Sequence, residues 1–221
     1  MGLSNYLPSS RLIQPGVCTS TTRPASPFNG QVIYETDTKQ TLVWQGSSWV
    51  MLTDADTPPG LELVKTQTIG SGVSSVTIND AFPSGYDCFE VLSSGTTATN
   101  TDNIAVQLTT GGTAAATSYY GSMTYALWTG GSVLLHSVDN QNSWLAASAT
   151  DSSFGMALNM RFINPNQARA TYFTSIHIRN IGGNFTGAHS TATSYDGFKL
   201  TISTGTISGG TIRVYGYRNS I

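Results

Sequence analysis

The chain has 221 residues, with 10 Lys and Arg against 12 Asp and Glu and a formal net charge of −2. Charged residues make up 10% of it, against about 25% in an average soluble domain, while hydrophobic residues reach 39%. This balance excludes a disordered charged tail and leaves no basic stripe to neutralise phosphates, so no nucleic-acid partner is expected.

No apolar run approaches the ~20 residues of a membrane helix, so no membrane partner is expected either. The opening Met1-Gly2-Leu3-Ser4-Asn5-Tyr6 lacks the basic and apolar regions of a secretory signal. Tyr6 also stands where a myristoylation motif needs Ser or Thr. Cys18 and Cys88 are too few for a disulfide framework or a zinc site. Two free thiols are expected, with a bridge between them left open.

In chain order, residues 1–27 read as an extended arm, because Pro8, Pro15, Pro24 and Pro27 fix φ and bias the residues before them. Such an arm cannot bury a core alone and must lie against something. Residues 28–52 then read as a small β-meander. Its predicted strands are Gln31-Val32-Ile33-Tyr34-Glu35, Thr41-Leu42-Val43-Trp44-Gln45 and Trp49-Val50-Met51-Leu52. A sheet of this size needs a partner surface. Tyr34, Trp44 and Trp49 are its candidate anchoring or interface residues. Residues 53–60, ending in Pro58-Pro59-Gly60, read as a linker.

Residues 61–221 alternate strands with turns of Gly, Ser, Thr and Asn. Strands are expected at 61–69, 73–78, 88–93, 104–108, 133–138, 155–163, 170–179, 198–203 and 211–218. Residues 114–128 are left open between a short helix, a long loop and an edge strand. The expected fold is all-β: an arm and meander followed by an antiparallel β-sandwich head, jelly-roll-like.

Catalytic signatures are missing. No nucleophile elbow, phosphate loop or paired metal-ligand histidines occur, and His136, His177 and His189 are spread along the chain. Most of the acidic residues sit at turn positions, where Asp bonds its own backbone, rather than in a recognisable pair for glycoside cleavage. Asp139-Asn140-Gln141-Asn142 collects oxygens in one loop but lacks the ladder of a calcium loop. No enzyme activity, cofactor or metal is expected. Tyr119, Tyr120, Tyr125 and Trp128, with Trp144 nearby, cluster in a Gly- and Thr-rich segment. Flat rings in a neutral, hydroxyl-rich surface can stack on sugars, and the same rings can instead fill the core or a subunit interface. The first four are the candidate glycan or receptor contacts.

The segment from Thr22-Arg23-Pro24-Ala25-Ser26-Pro27-Phe28-Asn29-Gly30-Gln31-Val32-Ile33-Tyr34-Glu35-Thr36-Asp37-Thr38 to Trp44-Gln45-Gly46-Ser47-Ser48-Trp49-Val50 resembles a short β-module of tailed-bacteriophage virion surface proteins. Leu63-Val64-Lys65-Thr66-Gln67-Thr68-Ile69 and Gly209-Gly210-Thr211-Ile212-Arg213-Val214-Tyr215-Gly216-Tyr217-Arg218-Asn219 are similar to the opening and closing strands of β-sandwich domains in the same group. The resemblance covers about a third of the chain. It implies a non-enzymatic structural protein of the virion, made in the bacterial cytoplasm and commonly homotrimeric, with no catalytic residues to carry over. Fibre proteins of the group have a long shaft ahead of the module, where this sequence has 27 residues. The expectation is therefore a capsid decoration (cement) protein contacting other virion proteins such as the major capsid protein. A tail-fibre or tail-tip protein that binds a host-surface glycan is the alternative.

Overall fold

A computed structural model describes residues 15–52, 60–178 and 181–218. The chain divides into two compact units, one within residues 1–58 and the other within 59–220.

In the first unit, Gly46 turns one strand into the next with φ +88°, and Lys39 adopts a left-handed φ of 61° in the preceding turn. These turns connect β2 (Val32–Glu35), β3 (Gln40–Trp44) and β4 (Trp49–Met51), the meander expected from sequence. A fourth strand, β1 (Gly16–Cys18), comes from the arm and pairs with β2 in parallel. The rest of the described arm is clipped to this sheet. Ser20 donates from its backbone N–H and its hydroxyl to Asp37, and Arg23 pairs with Glu35. Residues 1–14 of the arm and 53–59 of the linker lie outside the described residues.

The second unit is built from β5 (Leu61–Thr68), β6 (Ser75–Ile78), β7 (Tyr86–Ser94), β8 (Thr97–Ala98), β9 (Asp102–Thr110), β10 (Thr113–Ala114), β11 (Tyr119–Leu127) and β12 (Val133–Gln141). It continues through β13 (Trp144–Asp151), β14 (Gly155–Met156), β15 (Asn159–Ile163), β16 (Thr171–Ile178), β17 (Ile181–His189), β18 (Gly197–Ile202), β19 (Ile207–Ser208) and β20 (Thr211–Arg218). An eight-stranded antiparallel sheet runs β12-β11-β17-β16-β15-β7-β20-β5. A six-stranded sheet runs β14-β13-β9-β18-β6, with β10 beside β9. The core strands alternate between the sheets: β5, β7, β15 and β20 belong to the larger, and β6, β9, β13 and β18 to the smaller. This is the double-sheet winding of a jelly roll. Two hairpins, β11–β12 and β16–β17, interrupt the alternation and widen the larger sheet.

Alternation explains the core. Phe89 and Val91 of β7, Phe162 of β15 and Phe173 of β16 point inward from one sheet; Ile104, Val106 and Leu108 of β9 and Phe198 and Leu200 of β18 point inward from the other. Phe82, in the loop before β7, lies 5.0 Å from Phe89, 5.1 Å from Phe162 and 5.8 Å from Phe198, ring centre to ring centre. Residues 114–128, left open in the sequence, hold a nine-residue strand in the interior of the larger sheet, paired on both sides. Cys18 and Cys88 are both free thiols.

Candidate functional site

An antiparallel sheet normally keeps one face for the core and gives the other polar side chains. On the larger sheet, register places Tyr120, Ser122, Thr124 and Ala126 of β11 outward, beside Asn184 and Thr186 of β17, Thr174 and Ile176 of β16, and Arg161 of β15. No described element of this unit covers that face. Two concavities open on it, of about 370 and 480 Å³. Both are lined by Ile176 and Asn184, so they adjoin.

The first concavity is polar. Arg161 Nε donates to Glu90 Oε2 at 3.0 Å, its Nη2 donates to the Tyr217 hydroxyl at 3.3 Å, and the guanidinium lies 5.6 Å from the Tyr217 ring centre. The bond to Glu90 raises the Arg161 pKa, so the guanidinium keeps its charge beside its hydrogen-bond partner. Asn159, Thr174, Asn184 and Thr186 add amides and hydroxyls to the wall. The second concavity is walled by Trp128, Tyr125, Thr124 and Val133 over Gly182 and Gly183. Trp128 is 63% exposed, and a Cβ on Gly182 would sit 3.7 Å from its Nε1. Together they can hold a neutral, hydroxylated ligand by hydrogen bonds and ring contact. Glu90 is the one carboxylate lining either concavity among the described residues, and it already engages Arg161. The paired acids of glycoside cleavage are not assembled there.

The aromatic candidates occupy different environments. Trp128 lines the second concavity; Tyr125 borders it too, but alternation along β11 sets it on the core side, where it packs partly buried against the core. Tyr120, on the outer face, is at the opposite end of β11. Tyr119 is 0% exposed: the Leu108 N–H donates to its hydroxyl at 2.8 Å, and that hydroxyl donates to the Ala115 carbonyl at 3.2 Å. Burial raises the Tyr119 pKa, keeping the phenol neutral. Trp144 is buried too, stacked 4.3 Å from Phe173, its Nε1 donating to the Tyr120 carbonyl at 3.1 Å. Arg161, Asn159, Thr174, Ile176 and Asn184 carried no sequence motif. Only the alternation of β15, β16 and β17 places them on one face.

In the first unit, Trp44 and Trp49 face each other across β3 and β4, ring centres 5.5 Å apart and edge-on. They share a face with buried Ile33, Leu42 and Glu35. Tyr34 belongs to the other face, with Val17, Val32, Val43 and Val50. Those five are half-buried or exposed, Val17 by 69%. Residues 139–141, expected in a loop, form the end of β12 instead: Asn140 takes a left-handed φ of 47°, and Gln141 Nε2 donates to the Asp139 carbonyl at 3.0 Å. His177 falls on β16, but its side chain lies outside the described residues.

These features define an all-β protein with a jelly-roll unit and a smaller β-unit. No family's sequence model matches the chain, and searches of curated proteins and of solved structures return no match.

Proposed function

We propose that this chain is a non-enzymatic structural protein of a bacteriophage virion, a capsid decoration or cement protein assembling as a homotrimer. One observation carries the reading: the small unit is folded on one side and unfinished on the other. Arg23 and Glu35 close its buried face, while Val17, Val32, Tyr34, Val43 and Val50 form a second apolar face that nothing described in the unit covers. An apolar face left half-open in this way, with Val17 exposed at its edge, suits a protein–protein contact. In this reading the small unit docks on the particle and packs among its copies, and the jelly roll is displayed. Many copies acting together make modest contacts sufficient. A low charge density lets copies pack closely without repulsion.

The test is attachment. A chain beginning at Leu61 keeps its jelly roll and loses binding to particles stripped of this protein, and Tyr34→Asp with Val43→Asp in the full chain does the same. Binding that survives both changes refutes the assignment of docking to the small unit.

A second reading, a tail-tip protein that binds a host-surface glycan, is favoured by the adjoining concavities with exposed Trp128 and the Asn184 amide. A glycan array then reports binding that Trp128→Ala abolishes. An array without signal removes this reading.

A further inference from the structure

We propose that strand β12 is the surface through which this chain pairs with a second copy of itself, edge to edge and antiparallel. The proposal extends the self-assembly in the reading above and adds a two-fold contact to it.

Exposed sheet edges offer unpaired N–H and C=O groups, and folded proteins blunt them with short strands, charges, prolines or bulges. Three of the four terminal strands of the two large sheets are short or charged. In the smaller sheet, β14 has two residues and β6 has four. In the larger sheet, β5 carries Glu62, bonded to Arg218 and to the Tyr86 hydroxyl, together with Lys65, and its ladder is broken opposite Val214 and Tyr215. The fourth edge, β12, has nine residues and no Lys, Arg, Glu or Pro. Its irregularities lie at the far end, where the ladder to β11 shifts near Tyr119 and Asn140 takes its left-handed φ of 47°. Residues 133–138 therefore offer a regular edge free of Asp, Glu, Lys and Arg.

That edge is also apolar on both sides. Val133, Leu134 and Leu135 are 68%, 39% and 79% exposed, while Val138 alone among the strand's aliphatics is buried. Val138 belongs to the core cluster of this unit, whereas Leu134, four residues earlier on the same side of the outermost strand, stays 39% exposed.

The edge is complementary to itself. With two copies antiparallel and centred on Leu135, Val133 meets Ser137 and Leu134 meets His136 of the second copy, and the Leu135 side chains adjoin. Asp139, the strand's one acidic residue, lies outside this overlap, so no like charges oppose one another. A foreign partner selected by charge would find nothing to read here, whereas apolar self-pairing needs no charge.

The test is the mass of the full chain in solution, by light scattering after size exclusion, for wild type, Leu135→Lys and Leu63→Lys. Leu135 and Leu63 are both exposed, so both variants keep the fold, checked by circular dichroism. The expected result is a twofold drop in mass for Leu135→Lys and none for Leu63→Lys on the blunted edge. A fall from six copies to three supports β12 pairing together with the homotrimer. A fall from two to one supports β12 pairing and removes the trimer. Equal masses for wild type and Leu135→Lys, whether three copies or one, overturn the proposal, and the three-copy case leaves the trimer standing. Hydrogen exchange provides a second readout: amides of residues 133–138 gain protection as wild-type concentration rises, and unchanged protection overturns the pairing.

Discussion

Gly187 on β17 shows how one missing Cβ organises this core. A Cβ there would lie 2.5 Å from the Tyr120 carbonyl oxygen and 2.7 Å from Trp144 Nε1, so only glycine lets the indole reach the carbonyl it bonds. Gly187→Ala is expected to destabilise the jelly roll by about 1–3 kcal/mol, as overpacking does, read as a lower midpoint in denaturant. Trp144→Ala removes the ring stacked on Phe173 and is expected to cost about 3–5 kcal/mol. His189 gives a pH signature. It is buried, with Nδ1 3.2 Å from the Tyr195 hydroxyl and its ring 4.5 Å from Tyr119, and burial lowers its pKa. The unfolded chain therefore binds the proton first, so stability is full above the ordinary value of 6.5 and falls as pH drops below it. Melting of the jelly roll between pH 7.5 and about 5 measures this, and His189→Gln flattens the slope. Among the candidate residues, the sequence showed that Tyr119, Tyr125, Trp128 and Trp144 are close along the chain. It did not show that strand alternation sends Tyr119 into the core, since its neighbours carry no clean apolar–polar pattern.

At the scale of elements, legibility follows side-chain chemistry. Strands rich in Val, Ile and Tyr, such as β2, β3, β9 and β20, stand out because they alternate clearly. β17 carries three glycines and β13 is mostly Ala, Ser and Thr, and neither was expected from sequence. Their identity comes from what lies across them: β17 is flanked by β11 and β16, and β13 by β9 and β14. β11 stayed ambiguous for the same reason, since Gly121 faces Phe185 so closely that a Cβ would lie 2.7 Å from the ring. The parallel strand β1 was hidden because a three-residue strand from a proline-rich arm has no periodicity to read. Its latch is testable. Arg23 and the Thr38 hydroxyl bond Glu35, whose side chain is buried, and the Arg23 bond foremost lowers the Glu35 pKa. A carboxylate lowered in this way stabilises above its ordinary 4.5, and the contribution is lost as pH falls through the folded value. Arg23→Ala leaves the carboxylate buried without a counter-ion. Limited proteolysis is expected to cut the small unit of that variant well before the jelly roll.

At the scale of the molecule, the fold class was legible from composition and spacing: many short strands, hydroxyl-rich turns and no helical period lead to a β-sandwich. The winding was not legible, because strand order depends on contacts between residues far apart in sequence, such as Thr211 of β20 with Ser94 of β7. The outer face of the larger sheet was hidden in the same way. Each of its residues is an ordinary outward position on its own strand, and only the sheet gathers them into a surface. Two units with separate cores are expected to unfold separately. Calorimetry of the full chain should resolve two transitions, the larger reproduced by a chain beginning at Leu61; a single transition lost on truncation contradicts this division.

The central claim is that the chain is displayed on a virion. Immunogold electron microscopy tests it most directly, using an antibody against residues 61–221 on intact phage particles assembled from the genome that encodes the chain. The account predicts gold distributed over the heads, with the jelly roll accessible without disrupting the particle. Bare particles, with the protein left in the soluble fraction of the lysate, would contradict it.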